Sequence, residues 1–157
     1  AVIGYVPHQG SRSLEDRLQV MRQDEKESGC NTIEAYLEFD QKIRDMKVKN
    51  LEYLHSVKSD NKRIFGFGAP VKGNTMLNYF GVGTDLIECL VEKNELRRGL
   101  YSPGMHIPVK IEDEIVDHPD VYYVLAWNFK KEILANNQSL IDAGVEFYFP
   151  VNPKLSA

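Results

Sequence analysis

One stretch constrains the fold of this chain more than any other: residues 63–79, RIFGFGAPVKGNTMLNY. It reads as strand, glycine turn, helix. Ile64, Phe65 and Phe67 supply the β-branched and aromatic weight of a buried strand. Gly66 and Gly68 then let the backbone turn tightly and expose its N–H groups. Pro70 ends the extended run. Lys72, Gly73, Asn74 and Thr75 open a short helix with Met76, Leu77 and Tyr79 on its apolar side. A helix start with free N–H groups, a lysine and small neighbours can receive an anion such as a phosphate or carboxylate.

The rest of the chain repeats the alternation. Residues 1–6 (AVIGYV) read as a short strand ended by Pro7 and Gly10. Residues 13–29 read as a charged helix, with Ser13 as its cap, Asp16 at the capping-box position and Gly29 as its stop. Residues 31–58 read as a long amphipathic helix. Its stripe is Ile33, Leu37, Ile43, Met46, Leu51, Leu54 and Val57, and Asn31 or Thr32 caps its start. Beyond the glycine turn, residues 86–91 (LIECLV) form a second strand closed by Glu92, and residues 93–105 a loop. Residues 106–109 form a short extended piece, and 111–118 an acidic connection. Residues 121–126 (VYYVLA) are continuously apolar, as strands inside parallel sheets are. A helix over 130–143 and a strand over 145–151 complete the pattern.

Strands alternating with helices predict an α/β fold: a Rossmann-like three-layer domain with a mostly parallel sheet, preceded by the long amphipathic helix. Residues 1–60 are expected to be an N-terminal helical segment packing on a domain formed by residues 61–157. Ligands of such sheets bind beyond the carboxyl ends of the strands. Residues 66–73, 92–103 and 126–129 fall there.

Composition narrows the function classes. An apolar share of 43% over 157 residues supports a core without staples. A net charge of -4 gives no basic footprint for nucleic acid, and no apolar run is long enough to span a membrane. Two distant cysteines, Cys30 and Cys89, give neither a zinc pattern nor a disulfide framework. A cytoplasmic protein with reduced thiols and no metal is the expectation. The chain begins without Met, as a piece of a longer protein would.

Each motif has a functional and a structural reading. GFGAPVKG departs from the G-x-G-x-x-G dinucleotide fingerprint, because Val71 holds the sixth position and the third glycine comes late, at Gly73. The glycines then serve either a phosphate or only packing. Glu92 lies where a ribose-binding acid would sit. Lys72 is the best anion ligand, or else a solvated lysine placed against the helix dipole. Asn74 and Asn78 share a helix face and either meet a ligand or face solvent. Tyr101 and His106 flank a glycine–proline loop, where a histidine is more often a surface residue than a base. Trp127 and Asn128 at a strand end either stack on and hydrogen-bond a ring or pack into the core.

Four ordered blocks carry a resemblance: GFGAPVKGNTMLNY, a strand ending LVEKN, GLYSPGMHIPV and YYVLAWNF. Together the chain resembles the C-terminal domain of SAM-dependent C-methyltransferases that act on nucleotide-activated sugars. The resemblance implies a Rossmann-like domain that helps hold a nucleotide-diphosphate sugar. S-adenosylmethionine would be bound mainly by a methyltransferase domain of the same parent chain, which also carries the catalytic base. The implied chemistry is proton abstraction beside a sugar ketone, then attack of the carbanion on the methyl of SAM. The isolated chain is expected to be inactive. Gly66, Gly68, Lys72, Gly73, Asn74, Asn78, Tyr101, Pro103, His106, Trp127 and Asn128 are the substrate-side candidates that the resemblance implies. Glu92 replaces the family's usual Asp, and HQGSRSLEDRLQVM only loosely matches the family's opening segment. A stand-alone nucleotide or sugar-phosphate binding module is therefore the rival reading, and a nicotinamide enzyme a weaker third.

Overall fold

Apolar strands with no polar alternation must be covered on both faces, and the chain does this with one parallel sheet between helices. The computed structural model describes residues 4–151. Its elements are α1 (Asp16–Ser28), α2 (Ile33–Ser59), β1 (Ile64–Phe67), α3 (Val71–Phe80), β2 (Leu90–Glu92), β3 (Val109–Ile111), β4 (Val121–Val124), α4 (Lys130–Asn136), α5 (Gln138–Asp142) and β5 (Glu146–Tyr148). Short 3₁₀ turns cover Glu95–Arg97, Glu112–Glu114 and Trp127–Phe129. Two compact units divide the chain, Ala1–Arg44 and Asp45–Ala157, so the second part of α2 belongs with the sheet.

The sheet order is β3-β2-β1-β4-β5, with every neighbouring pair parallel. β1 lies at the centre, in register with β4 from Ile64 opposite Val121 to Phe67 opposite Val124. The strand order reverses direction between β1 and β4, which creates the crevice where ligands of doubly wound sheets bind.

The period of two along each strand splits the core into two layers. One face carries Ile64, Leu90, Tyr123 and Leu125, covered by Leu54 and Val57 of α2 and Met76, Leu77 and Phe80 of α3. The other carries Phe65, Val91 and Tyr122, against which Leu140 of α5, Val145 and Phe147 pack. The three-layer α/β expectation holds. Asn50 of α2 is buried at 2% exposure yet fully engaged. Its amide donates to the carbonyls of Met46 and Pro150, and its oxygen accepts from the Tyr123 hydroxyl at 2.8 Å.

Several boundaries differ from expectation, each for a local reason. Residues 4–6 form no strand, and residues 1–3 lie outside the described residues. Helix α1 starts after Glu15 rather than Ser13, without a side-chain cap, and buries none of its residues. Thr32 does cap α2, its hydroxyl accepting from the Ala35 N–H. Ile33 and Leu37, at the start of the apolar stripe, are exposed. The second strand begins at Leu90 because Leu86 and Ile87 donate their N–H groups to the Gly83 carbonyl in a turn. The third begins at Val109 because residues 101–108 close on themselves, Ser102 N–H to Ile107 O at 2.8 Å and Tyr101 bridging Pro108. The helix expected over 130–143 is broken at Asn137. The Asn137 side chain donates to the Ile133 carbonyl at 2.7 Å, a bond that competes with helix continuation.

Candidate functional site

The β1–α3 turn is built by glycines in three different ways. Gly68 takes a left-handed conformation (φ +79), which only glycine adopts freely, and a Cβ there would lie 3.2 Å from the Ala126 Cβ. Gly66 is buried, and a Cβ on it would reach within 2.4 Å of a Leu90 methyl. Gly73 sits in the first turn of α3, where a Cβ would stand 2.7 Å from the Leu125 Cβ. The third glycine is thus placed for close packing of helix on strand, the role a late glycine can still fill.

Most polar groups of this turn are spent inside the protein. Gly68 N–H donates to the Val91 carbonyl at 2.7 Å, and Ala69 N–H to Glu92 Oε2 at 3.2 Å. Arg97 donates from Nη1 to the Ala69 carbonyl and stands 3.1 Å from Glu92 Oε2. The other carboxylate oxygen, Glu92 Oε1, accepts from the N–H groups of Lys93 (2.9 Å) and Asn94 (3.3 Å). Glu92 does end its strand as expected, but its carboxylate is occupied where a ribose diol would need it free. That corrects the ribose-acid reading. Beyond the turn, Pro70 caps α3 without a side-chain bond. The Val71, Lys72 and Gly73 amides precede any carbonyl of their own helix that they could reach.

Lys72 rises from this helix start over aromatic faces. Its Nζ lies 5.0 Å from the Trp127 ring centre and 6.0 Å from that of Phe129. Lys72 forms no ion pair among the described residues. Its charge is held by ring quadrupoles, which leave the ammonium protons for another acceptor. Trp127 also packs against the α3-side core, the structural role weighed for it. Phe129 borders a cavity of about 290 Å³ at the β1/β4 crevice, walled by Gly68, Ala126 and Ile133 and rimmed by Lys93, Glu112 and Glu132. Lys93 pairs with Glu112 at 3.5 Å across that rim.

The remaining candidates are placed as follows. Asn78 donates its amide to the Asn74 and Pro103 carbonyls, both at 2.9 Å, and so pins the 101–108 loop to α3. Gly104 makes that contact possible, because a Cβ there would fall 1.9 Å from Asn78 Oδ1. Asn74 Oδ1 is buried without a hydrogen-bond partner. Tyr101 is 63% exposed, and His106 is exposed in a left-handed conformation (φ 53). Asn128 is exposed beside Trp127. The glycine turn, the start of the 92–103 loop and residues 126–129 therefore meet, whereas Tyr101 and His106 lie on the loop that Asn78 pins to α3. Arg97 and Phe129 lie in segments expected at the strand ends, yet neither stood out as a site residue. Arg97 belongs to a 3₁₀ turn that Asn94 caps, accepting from Leu96 N–H at 3.1 Å, and N-x-x-R at a strand end was the available signal.

In the sheet below, burial pushes the Cys89 thiol up to about 11 and the Tyr122 hydroxyl up to about 12, so both stay protonated at neutral pH. Among the described residues no three His, Cys, Asp or Glu side chains gather as a metal site. No described helix is long and apolar enough to cross a membrane.

Comparison with known proteins agrees with this architecture. The family model described as the C-methyltransferase C-terminal domain matches residues 2–152. The C-methyltransferase NovU of Streptomyces niveus is 28% identical over 151 residues, covering 96% of this chain and 36% of the relative. The chain thus spans about a third of that relative's length. With a match over nearly its whole length, the chain belongs to the family of C-methyltransferase C-terminal domains.

Proposed function

We propose that the chain is the substrate-binding C-terminal domain of a SAM-dependent C-methyltransferase whose substrate is a nucleotide-activated keto sugar. The observation that carries this reading is Lys72 at the start of α3, held over Trp127 and over Phe129, whose ring borders the cavity at the strand ends. A diphosphate meets three amides and an unpaired ammonium there, and a ring has two aromatic faces nearby. Gly68, Lys72, Asn74, Trp127 and Asn128 form the working set. Gly66, Gly73 and Asn78 shape it, and Tyr101 and His106 border it through the pinned loop. S-adenosylmethionine supplies the methyl group in such enzymes. The residues here do not fit its adenosine, because Glu92 is saturated by Ala69, Lys93, Asn94 and Arg97. That supports a methyl donor held by a separate domain of the parent chain and an isolated chain that does not methylate. The same occupied acid counts against a nicotinamide cofactor. The free thiols of Cys30 and Cys89 suit the cytoplasm.

Calorimetric titration with dTDP-sugar, dTDP, SAM and NAD tests the reading. The nucleotide sugar is expected to bind and SAM and NAD not to. Lys72→Ala removes a charge-assisted bond worth about 1.5–3 kcal/mol, roughly a ten- to hundredfold loss of affinity. Binding of SAM or NAD instead, no binding of any nucleotide, or unchanged affinity in Lys72→Ala would each overturn it.

A further inference from the structure

Among the described residues, side chains hold the Ala69 peptide groups of the β1–α3 turn, and one ion pair holds both. Glu92 Oε2 accepts the Ala69 N–H, and Arg97 Nη1 donates to the Ala69 carbonyl while contacting the same carboxylate oxygen. The ring closes through the backbone. Glu92 Oε1 anchors the Lys93 and Asn94 amides, Asn94 caps the Glu95–Arg97 turn, and that turn delivers Arg97. The pair is partly shielded, with side chains 36% (Arg97) and 19% (Glu92) exposed. Ala69 lies between Gly68, whose left-handed φ of +79 a glycine adopts without strain, and Pro70, the N-cap of α3. Whatever fixes Ala69 therefore fixes the direction of α3's first turn and the reach of Lys72 toward Trp127.

We propose that Arg97 and Glu92 are positioning residues, a clamp that sets the first turn of α3, and with it Lys72, for an anionic ligand. This rests on the substrate-binding reading above. Without the clamp, the glycine turn samples other directions and only a fraction of molecules present Lys72 and its amides together. Affinity falls by that fraction while the sheet beneath is intact.

The test combines amide hydrogen exchange with dTDP titration on the 157-residue chain and its Arg97→Ala, Arg97→Lys and Glu92→Gln variants. Arg97→Ala is expected to speed exchange at Ala69 and Asn74 at least tenfold. Exchange at Tyr123 and Val124, and the urea midpoint, should not change. Its dTDP affinity should drop about five- to tenfold, with partial recovery in Arg97→Lys. Unchanged exchange at Ala69 refutes the clamp. Acceleration spread evenly over the sheet refutes it too, because that is a loss of global stability. If wild-type chain binds no dTDP, the substrate reading fails, and the exchange pattern still decides whether the clamp orders the turn.

Discussion

The Asn50–Tyr123 pair offers the sharpest test of how the helix layer is locked to the sheet. Tyr123 is fully buried at the centre of β4, and its hydroxyl donates to Asn50 Oδ1 at 2.8 Å. Tyr123→Phe keeps the ring and its stack on Tyr148 but strands that amide oxygen away from water. An unsatisfied buried acceptor costs about 1–3 kcal/mol. Asn50→Leu is worse, because it leaves both the Tyr123 hydroxyl and the Pro150 carbonyl unpaired, and roughly 2–5 kcal/mol is expected. Combining the two removes donor and acceptor together, so the double variant should be less destabilised than the sum, with a coupling of about 1 kcal/mol or more. Trp127 is the chain's one tryptophan and sits just past β4, so its fluorescence reports unfolding of this unit. In urea, with m of about 1–3 kcal/mol/M, Tyr123→Phe should lower the midpoint by roughly 1 M. A midpoint unchanged within about 0.2 M, or strictly additive losses in the double variant, would refute the reasoning.

Gly73→Ala drives a Cβ into the Leu125 stem, at 2.7 Å, rather than into a flexible tip. It should cost about 1–3 kcal/mol and shift Trp127 emission as Lys72 moves off the ring, both measurable in one urea titration. Alkaline pH should destabilise the fold. Cys89 rises from 9.0 to about 11 and Tyr122 from 10.0 to about 12, so the native state keeps protons that the unfolded chain gives up. Their contribution is complete below pH 9 and is lost as pH climbs toward 12, at about 1.4 kcal/mol per pH unit for each retained proton. Urea midpoints between pH 8 and 11 measure the slope, which Tyr122→Phe should flatten; a slope that stays level would contradict the burial argument. A thiol reagent at pH 8 should modify exposed Cys30 quickly and buried Cys89 only after unfolding, and two fast thiols in the native chain would be the contrary result.

The fold was legible where periodicity is strong. RIFGF and VYYVLA gave the central parallel pair because continuous apolar runs have few other uses. What misled were features that depend on distant partners or on competing local bonds. Nothing near Asn137 in the sequence says that its side chain takes the Ile133 carbonyl and ends a helix. Likewise LIECLV is apolar throughout, yet Leu86 is buried in a turn closed on Gly83. At the site, Lys72 and Trp127 were readable from their positions at a helix start and a strand end. Their mutual contact was not, because β1 and β4 become neighbours only when the strand order reverses.

The deeper divergence concerns the glycine turn itself. Its letters suggest amides offered to a ligand, whereas Gly66 and Gly68 donate to Cys89 and Val91 carbonyls and Ala69 to Glu92. In a dinucleotide-binding turn, the strand-end acid and the loop amides face outward to the same ligand. Here they face each other, with Arg97 neutralising the acid. On the substrate-binding reading proposed above, the turn serves as scaffold, and an anion is met one step along the chain, at the first amides of α3 and Lys72. A carboxylate already bonded by three amides and a guanidinium has little left for a ribose. Exchanging it for a neutral side chain should therefore loosen the turn before it changes any preference among nucleotides. That order of effects separates a site shaped by its scaffold from one in which Glu92 touches the ligand.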